Sequence, residues 1–501
     1  MSPNHFIRSS ACVAALLAGT TVMADVTAEE VWANWMAQMD VYGQDGISVG
    51  SQTYSGGVLT ISGLSMNMVN EEMTVAASFD DITLTENGDG TVTVVMPEVT
   101  PITINPTGEA ETDRIVATVR TVGAEMVVSG TPEAMQYDVS ADRYSVTIDE
   151  ALEDGEPMPL TLQANMNDVS SRQMVTEADG MRTTDVEMTA ASFDILLAAQ
   201  DGSEGIDMSG QVTNMALSGG STMPLDYDPA RPEEMFMMGF ATDLDYTAGT
   251  SNFIMAVTDY SGTTNITSAS SDSSFALSMD KENFGLGFGA ENVAISVMGG
   301  QVPFPVDLSL AEYGASIDMP MTRTEEPVPF GMSINLTELA VNDMIWMMLD
   351  PGSMLPHDPA TAQIDLTGTT KLFFDILDRE QAMAMENAEV PGELHSLTLN
   401  DLNLSIAGAM VSGQGSFEFD NSDMMTFGGM PRPEGKLELE GKGLNGLMDT
   451  LVAMGYVPEE QVMGFRMMMG MFATVVGDDH LTSTLEVNSE AHVLVNGQRI
   501  Q

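Results

Sequence analysis

The sequence predicts a mainly β protein, with elongated antiparallel sheets in two lobes, an N-terminal helix and a C-terminal helical hairpin. The first observation is an alternation of apolar and polar residues in many short segments, as at Val293, Ile295 and Val297. The second is that Gly, Asn and Asp turns separate these segments, with no regular helix between them. Alternation is typical of half-buried strands, and the lack of helical crossovers favours antiparallel neighbours.

Residues 1–24 have the pattern of a cleavable signal peptide. A basic residue precedes an apolar run at 12–22, and small residues occupy the two positions that a signal peptidase reads, the second being Ala24. A run of about a dozen residues is too short to cross a hydrocarbon layer of about 30 Å. We therefore expect export to a bacterial periplasm, a mature chain starting at Asp25 and no transmembrane segment after cleavage. Cys12, the only cysteine, leaves with the signal peptide, which excludes disulfides and thiol chemistry from the mature chain.

The mature chain is expected to begin with a helix. Thr27 and Glu30 have the spacing of a capping box, in which each residue satisfies a backbone N–H of the other. Apolar residues then recur at helical spacing, at Val31, Trp32, Trp35, Met36 and Met39. This face predicts a helix that docks on a sheet.

The segments after this helix change to a period of two and are expected to form hairpins. Residues 49–54 and 58–62 flank a Gly-Gly turn, and residues 82–85 and 91–95 flank a turn rich in Gly, Asn and Asp. Further alternating segments lie at 144–148, 293–297, 397–406, 417–419, 437–439 and 485–487, the third with one slip at Asp401.

Helices are predicted again at three places in the second half of the chain. An apolar run at 336–349 is followed by Pro351-Gly352, and residues 444–454 and 459–473 read as a helical hairpin with Pro458 at the first position of its second helix. Apolar residues cover nearly every face of that last helix, so we expect it to be buried against the sheet, either in a core or as the wall of a groove.

The best candidate for a domain boundary is the segment 219–234, which is rich in Gly, Pro and charge. It predicts an N-terminal β-rich lobe over 25–225 and a C-terminal β-rich lobe with helical insertions over 226–501. Residues 73–80 and 188–194 have similar sequences and hint at an internal repeat, but they are too short to establish one.

The chain is strongly acidic, with 74 acidic and 16 basic residues and a net charge of -58. Such a surface repels nucleic acid and anionic headgroups, because no basic stripe is available to replace their counterions. Adaptation to a saline exterior is the leading interpretation. Calcium binding is the sharper alternative, although no run of acids has the spacing of a calcium loop.

Methionine is unusually frequent, with 44 residues that cluster near 235–238, 344–348 and 463–471. Three interpretations are open: methionine in ordinary cores, a pliant groove for a lipid or acyl chain, and periplasmic copper(I) handling. The M-x-M spacings at Met66/Met68 and Met319/Met321 lack an adjacent His or Cys.

Only one motif suggests catalysis. Gly46 to Gly50 matches G-x-S-x-G, with Ser48 at the nucleophile position of a serine hydrolase, but that chemistry needs a strand-to-helix turn and no helix is predicted to follow. No two of the mature histidines have metal-ligand spacing on a predicted helix, and His480 and His492 are expected to face each other across the final hairpin as a solvated pair. These histidines are His357, His395, His480 and His492. No catalytic, cofactor-binding or metal residue is assigned.

Three stretches resemble a domain-of-unknown-function family of exported alphaproteobacterial proteins. They are residues 26–32, the Ile345-Trp346 region continued through 350–361, and the helical hairpin around Pro458. The resemblance runs over almost the whole mature chain and implies no activity, since the family is named for the lack of one. In the family an arginine often stands at the position of His357, which argues against a catalytic role for it. The β-hairpin arrays are also similar in style to AsmA-like envelope proteins that handle lipid, an analogy of architecture only.

These observations predict an exported, non-catalytic periplasmic protein without a cofactor. The expected role is to bind an apolar or lipidic ligand along the sheet or to act as an envelope scaffold; the protein partners are left open. The alternative is a periplasmic hydrolase that uses Ser48.

Overall fold

The computed structural model describes residues 25–39, 46–69, 73–106, 113–227, 231, 234–388 and 390–501. The predicted signal peptide lies outside these residues, and so does part of the predicted boundary at 219–234. Over the described residues, 29 strands join in one sheet through antiparallel pairings. The mainly β fold class, with helices at the N-terminus and near the C-terminus, is therefore confirmed.

The first helix, α1 (Ala28–Met39), begins with the predicted capping box. The Thr27 backbone N–H donates to Glu30 Oε2 at 2.9 Å, and the Glu30 N–H donates to Thr27 Oγ1 at 3.3 Å. These bonds satisfy two backbone donors at a helix start, where no carbonyl of the preceding turn can accept them.

Ten short strands follow α1 and form the N-terminal part of the sheet. The two predicted hairpins are present, and the first turns at Gly56 and Gly57 with φ of 62° and 81°, the backbone that a two-residue hairpin turn requires. The strands are β1 (Ile47–Ser48), β2 (Ser51–Ser55), β3 (Val58–Ser62), β4 (Ser65–Val69), β5 (Met73–Ser78), β6 (Ile82–Glu86), β7 (Val92–Val95), β8 (Val99–Pro106), β9 (Arg114–Val122) and β10 (Glu125–Thr131).

Long strands take over after residue 133 and carry the sheet to the middle of the chain. They are β11 (Ala134–Glu153), the two-residue β12 (Glu156–Pro157), β13 (Leu160–Ala178), β14 (Met181–Asp201) and β15 (Glu204–Pro224). One side of β11 pairs along its length with β13, and the other side pairs with β10 and then β9. The N-terminal strands therefore join the long sheet at two places along one edge of β11, through β10 and through β9.

The remaining strands extend the same sheet to the C-terminus. One edge of β15 pairs with β16 and β17 end to end, and both of these pair with β18, so the sheet is continuous across the predicted lobe boundary; the division into lobes stays a prediction. The strands are β16 (Ala241–Ala248), β17 (Ser251–Asp259), β18 (Gly262–Met279), β19 (Asn283–Gly299), β20 (Val302–Pro320), β21 (Val328–Val341), β22 (Ala360–Leu372), β23 (Gly392–Ile406), β24 (Ala409–Asp420), β25 (Arg432–Lys442), β26 (Thr474–Gly477), β27 (His480–Val487), β28 (Val493–Val495) and β29 (Gln498–Arg499).

The later helices are α2 (Glu234–Met237), α3 (Asp343–Leu349), α4 (Arg379–Glu386), α5 (Leu444–Ala453) and α6 (Glu459–Phe472). The helical hairpin α5–α6 is confirmed. The helix predicted at 336–349 is half wrong, because its first six residues belong to β21. Glu338 is a bulge with φ of 54°, which places Leu336 and Leu339 three apart on one face and so imitates helical spacing. The Asn342 side chain caps the shorter helix α3 by accepting the N–H of Ile345.

The closed core lies under α1. Val31 and Trp32 of this helix are buried with Leu59, Ile61, Ile82, Leu84 and other residues of the N-terminal strands. The Tyr137 hydroxyl of β11 donates to Asn34 Oδ1 of α1 at 2.8 Å, and burial raises the pKa of Tyr137 to about 12. The whole chain nevertheless has an accessible surface of 29587 Å², against about 18,000 Å² for a compact monomer of 53.4 kDa. Much of the sheet is therefore not covered by a second layer.

Candidate ligand-binding face

One face of the sheet carries rows of apolar side chains that run from strand to strand. Residues directly paired in an antiparallel ladder point to the same face. One row crosses seven strands, from β16 to β23, through Leu244, Leu277, Leu286, Ile317, Met332, Leu366 and Leu399. A neighbouring row passes through Tyr246, Phe275, Phe288, Ala315, Ile334, Ile364 and Leu402. We call the side of the sheet that carries these rows the apolar face.

The opposite face is polar over the same strands. Ser278, Asp318 and Thr367 belong to one row on that side, and Ser316, Ser333 and Asp365 to the next. Ser316 and Ser333 share a hydrogen bond of 2.7 Å between their hydroxyls. The long sheet is therefore amphipathic, with one side fit for water and the other for an apolar phase.

The apolar face is covered near the N-terminus and uncovered farther along. Where α1 lies on it, Ile61, Ile82 and Leu84 have no exposed surface. On the uncovered strands, Phe288 is 46% exposed and Ile334 41% exposed, although both sit in the same continuous apolar rows. Contiguous exposed apolar area of this kind is typical of a binding surface, since a monomer gains nothing by leaving it in water.

Glycines keep this face smooth by lying in register with large apolar side chains. A Cβ on Gly210 would lie 2.1 Å from the Phe253 ring, and a Cβ on Gly413 would lie 2.5 Å from a Leu439 methyl carbon. In each pair the large side chain lies over the space that the glycine leaves, and an aromatic residue in that place is known to stabilise a glycine in a sheet. The other pairs of this kind are Gly368 with Phe330, Gly415 with Leu437 and Gly435 with Phe417.

A line of bulges crosses the sheet and keeps the apolar residues on one side. Asp168, Asn214, Asp272, Asn292 and Glu338 lie in the interiors of their strands with φ between 47° and 54°. They follow one line across the sheet, most of them separated from the next by an intervening strand. Across this line the apolar residues of a strand are three apart rather than two, as Met166 and Val169 are on β13. The pairing register shifts beside Asp272 and Glu338 but is unchanged at Asp168 and Asn214, where both paired strands change phase together. Without this change of phase, one half of each strand would turn its apolar side chains to the polar face.

A concavity of about 410 Å³ lies on the apolar face where this line crosses β11, β13 and β14. Its lining is almost wholly apolar: Val139, Tyr144, Val146, Ala164, Met166, Val169, Ser171, Met188 and Phe193. A volume in this range accommodates part of an acyl chain.

The helix α6 is not buried against the sheet, so the prediction of a core position for it is wrong, whereas the alternative of a groove wall stays a prediction. Among its residues only Val462 is buried, while Met467 is 70% exposed. Hydrophobicity on all sides predicts burial only if another element covers the helix, and the strand that follows α6, β26, pairs at the edge of the sheet rather than over it. Tertiary placement, which the helical pattern does not encode, decided this outcome.

Sequence reasoning also missed a cluster beside α3. The rings of Trp346 and His357 stack at 4.2 Å between centroids, and His357 Nε2 lies 3.6 Å from Asp350 Oδ2. Backbone N–H groups of Met354 and Leu355, and then the nearby His357, hold the pKa of the buried Asp350 carboxyl below its usual range. The cluster shapes the turn after α3. Only the stacked aromatic pair could have been suspected from sequence, and its partners are eleven residues apart.

Ser48, the candidate nucleophile, lies at the end of the two-residue strand β1. Its hydroxyl is 2.8 Å from the hydroxyl of Ser65 on the paired strand β4. The four histidines of the described residues lie after residue 350, on elements none of which pairs with β1 or β4. The structure therefore does not bring a histidine to Ser48 through the sheet.

The expected pairing of His480 with His492 is wrong. His480 begins β27 and lies 2.7 Å from Glu440 Oε1, whereas His492 lies beyond the other end of β27, with its Nδ1 3.2 Å from Glu490. The final hairpin pairs Val487 with Val493, which places the two histidines at opposite ends of the strand. The observed pairing centres the turn on residue 490, four residues later than a pairing of His480 with His492 requires.

The polar face concentrates carboxylates, which predicts a dependence of stability on salt. Burial raises the pKa of Asp243, and the neighbouring charges of Asp245 and Asp185 raise it further. An acid whose folded pKa is raised destabilises the fold as pH rises above its unfolded pKa, and the full cost is reached above the folded pKa. We expect the thermal midpoint at neutral pH to rise between 0.1 M and 1 M sodium chloride, as the Debye length falls from about 10 Å to about 3 Å. A flat or falling midpoint would show that the acids are already compensated.

No protein-family model, curated protein or solved structure matches this chain. The resemblance to the exported family and to AsmA-like proteins therefore stays a prediction. No helix of the described residues is long and apolar enough to cross a membrane. The same residues contain no group of three or more His, Cys, Asp and Glu side chains placed to hold a metal ion.

Proposed function

We propose that this protein is an exported, non-catalytic periplasmic protein that binds a single-chain apolar ligand, such as the acyl chain of a lipid, along the apolar face. The observation that carries the proposal is the set of continuous apolar rows left uncovered between α1 and the C-terminal helices. Burying a large apolar side chain contributes about 1.5–3 kcal/mol, so covering several of them drives binding strongly.

A flexible chain fits this face better than a folded partner does. Protein interfaces gain specificity from deep pockets and paired polar groups at their centre. Here the rows contain few polar side chains, and the placement of Phe253 over Gly210 and of Leu439 over Gly413 removes the knobs and holes that would fix one docking geometry. An acyl chain needs neither, because it adapts its own torsions to a smooth floor.

The direct test is binding of a fluorescent fatty acid by protein recovered from the periplasm, whose N-terminus is expected at Asp25. The variant Ile334→Asp places a charge in the middle of the apolar face, and we expect it to weaken probe binding about tenfold or more. The control Ser416→Asp places the same charge on the polar face, opposite Lys436, and should bind like the parent.

Three results would contradict the proposal. The first is a parent protein that does not bind the probe. The second is equal binding by Ile334→Asp and the parent. The third is a stable dimer of the parent in sedimentation that Ile334→Asp dissociates. The apolar face would then be a contact between two copies of the chain rather than a site for the probe.

A further inference from the structure

The C-terminal hairpin displays a second apolar surface, separate from the apolar face. We call it the methionine surface, and it is formed by α6 and the strand after it. Its members are all well exposed, namely Met463, Phe465, Met467, Met468, Met471, Phe472, Val475 and Val476. On α6 the methionines and phenylalanines spread over about half of the circumference, as expected from about 100° per residue.

The methionine surface is nearly free of charge in a chain that is otherwise strongly acidic. Of the 501 residues 74 are acidic, yet residues 461–476 contain no Asp or Glu. Their one basic residue, Arg466, is turned toward α5, where its Nε donates to Asn445 Oδ1 at 3.0 Å and its guanidinium pairs with Asp449 at 2.8 Å. No unpaired cation is therefore left on this helix to attract an anionic partner.

This surface lies where the apolar face ends. Leu444, the first residue of α5, packs over Gly441, which is in register with Val411 of the apolar face. The Tyr456 hydroxyl, in the loop between α5 and α6, donates to the Leu349 carbonyl of α3 at 2.6 Å. The helix α3 contributes further exposed apolar residues to the same edge, which are Met344, Met347, Met348 and Leu349.

We propose that the methionine surface docks onto a lipid bilayer whose headgroups carry no net charge, with α6 lying in the interface. A helix of 14 residues is about 21 Å long, too short to span, but long enough to bury one apolar side at the level of the headgroups. Methionine suits a fluid surface because its side chain is flexible and polarizable. The net charge of -58 opposes approach to anionic lipid, so the surface should prefer zwitterionic membranes.

The proposal rests on the proposed function, since it gives a bound acyl chain a route between the membrane and the end of the apolar face. The experiment is flotation of the intact protein with vesicles of phosphatidylcholine, and separately with vesicles of phosphatidylglycerol. We expect flotation with the first and much less with the second at low salt. The double variant Met467→Asp/Met471→Asp should weaken association with phosphatidylcholine about tenfold or more.

The matched control is Met425→Asp, which changes a methionine that is 92% exposed in the loop between β24 and β25. It should float like the parent. An unchanged melting midpoint in all variants confirms that they fold, as expected for exposed positions.

Each other result overturns the inference. Such results are a parent that does not float, and a double variant that floats like the parent. A third is that the double variant only abolishes a dimer that the parent forms without vesicles. Failure of the proposed function is distinct from these results. In that case vesicle binding persists, but the fatty-acid probe is not bound in solution.

Discussion

Replacing Trp32 with alanine is expected to lower the free energy of unfolding by about 3–5 kcal/mol, the range for truncating a buried aromatic residue. Trp32 is only 5% exposed and belongs to the cluster that joins α1 to the N-terminal strands. Its removal leaves a cavity over Ile61 and Ile82, which have no exposed surface in the folded chain. The measurement is urea unfolding followed by circular dichroism.

The control for this prediction is Tyr260→Ala. Tyr260 is 85% exposed in the turn between β17 and β18, so its truncation should change stability by about 0.5 kcal/mol or less. Similar unfolding curves for Trp32→Ala and Tyr260→Ala would mean that α1 does not stabilise the sheet, and the assignment of a closed core beneath it would then be wrong.

The second large effect concerns the line of bulges, tested at Asn214. This residue has φ of 50°, a left-handed conformation that asparagine tolerates and a β-branched residue does not. We expect Asn214→Val to cost about 1–3 kcal/mol, the strain of a residue held in that region. Asn214→Gly should be neutral or slightly stabilising, because glycine adopts positive φ without a steric cost. Thermal unfolding measures both.

The same substitution nearby should have the opposite sign. Asn252 is an exposed residue of β17, paired with Gln211 of β15, and it is not among the positive-φ residues. Valine fits such a strand position better than asparagine does, so Asn252→Val should be neutral or stabilising. If Asn214→Val and Asn252→Val destabilise equally, the cost comes from the loss of asparagine rather than from the bulge.

Strain in the line of bulges should also affect binding of the proposed ligand. A valine at residue 214 that forces the backbone out of its left-handed conformation removes the change of phase there, so that Val212 and Met215 no longer share a face. We therefore expect any loss of stability in this variant to be accompanied by weaker binding of the fatty-acid probe.

The sequence predicted many of the local elements correctly, and the reasons are local. The capping box of Thr27 and Glu30, the Gly56-Gly57 turn and the two helices around Pro458 are each determined by residues close together in the chain. The slip at Asp401 likewise marks a real irregularity, because Leu399 and Leu402 pair with Leu366 and Ile364 across a bulge. A spacing of three within a strand is a visible sign of such a bulge.

The same spacing misled where its context was ambiguous. Leu336 and Leu339 lie three apart on either side of Glu338, as residues of one helical turn do, and an apolar run follows them. Nothing within the run itself shows that Leu336 pairs with Tyr313 and Ala362. A strand is stabilised by partners that are distant in sequence, so its extent cannot be read from its own residues alone.

Taken by itself, the sequence determined the fold class, the amphipathic alternation and the strongly acidic surface, since composition and period are properties of the chain before it folds. Only the tertiary structure decided that the strands join in one sheet whose apolar rows stay in register past the line of bulges. It also decided that α1 covers those rows near the N-terminus while α6 lies exposed. The physical reason is that an apolar side chain prefers burial to water, but whether something covers it depends on elements that only the folded chain brings together.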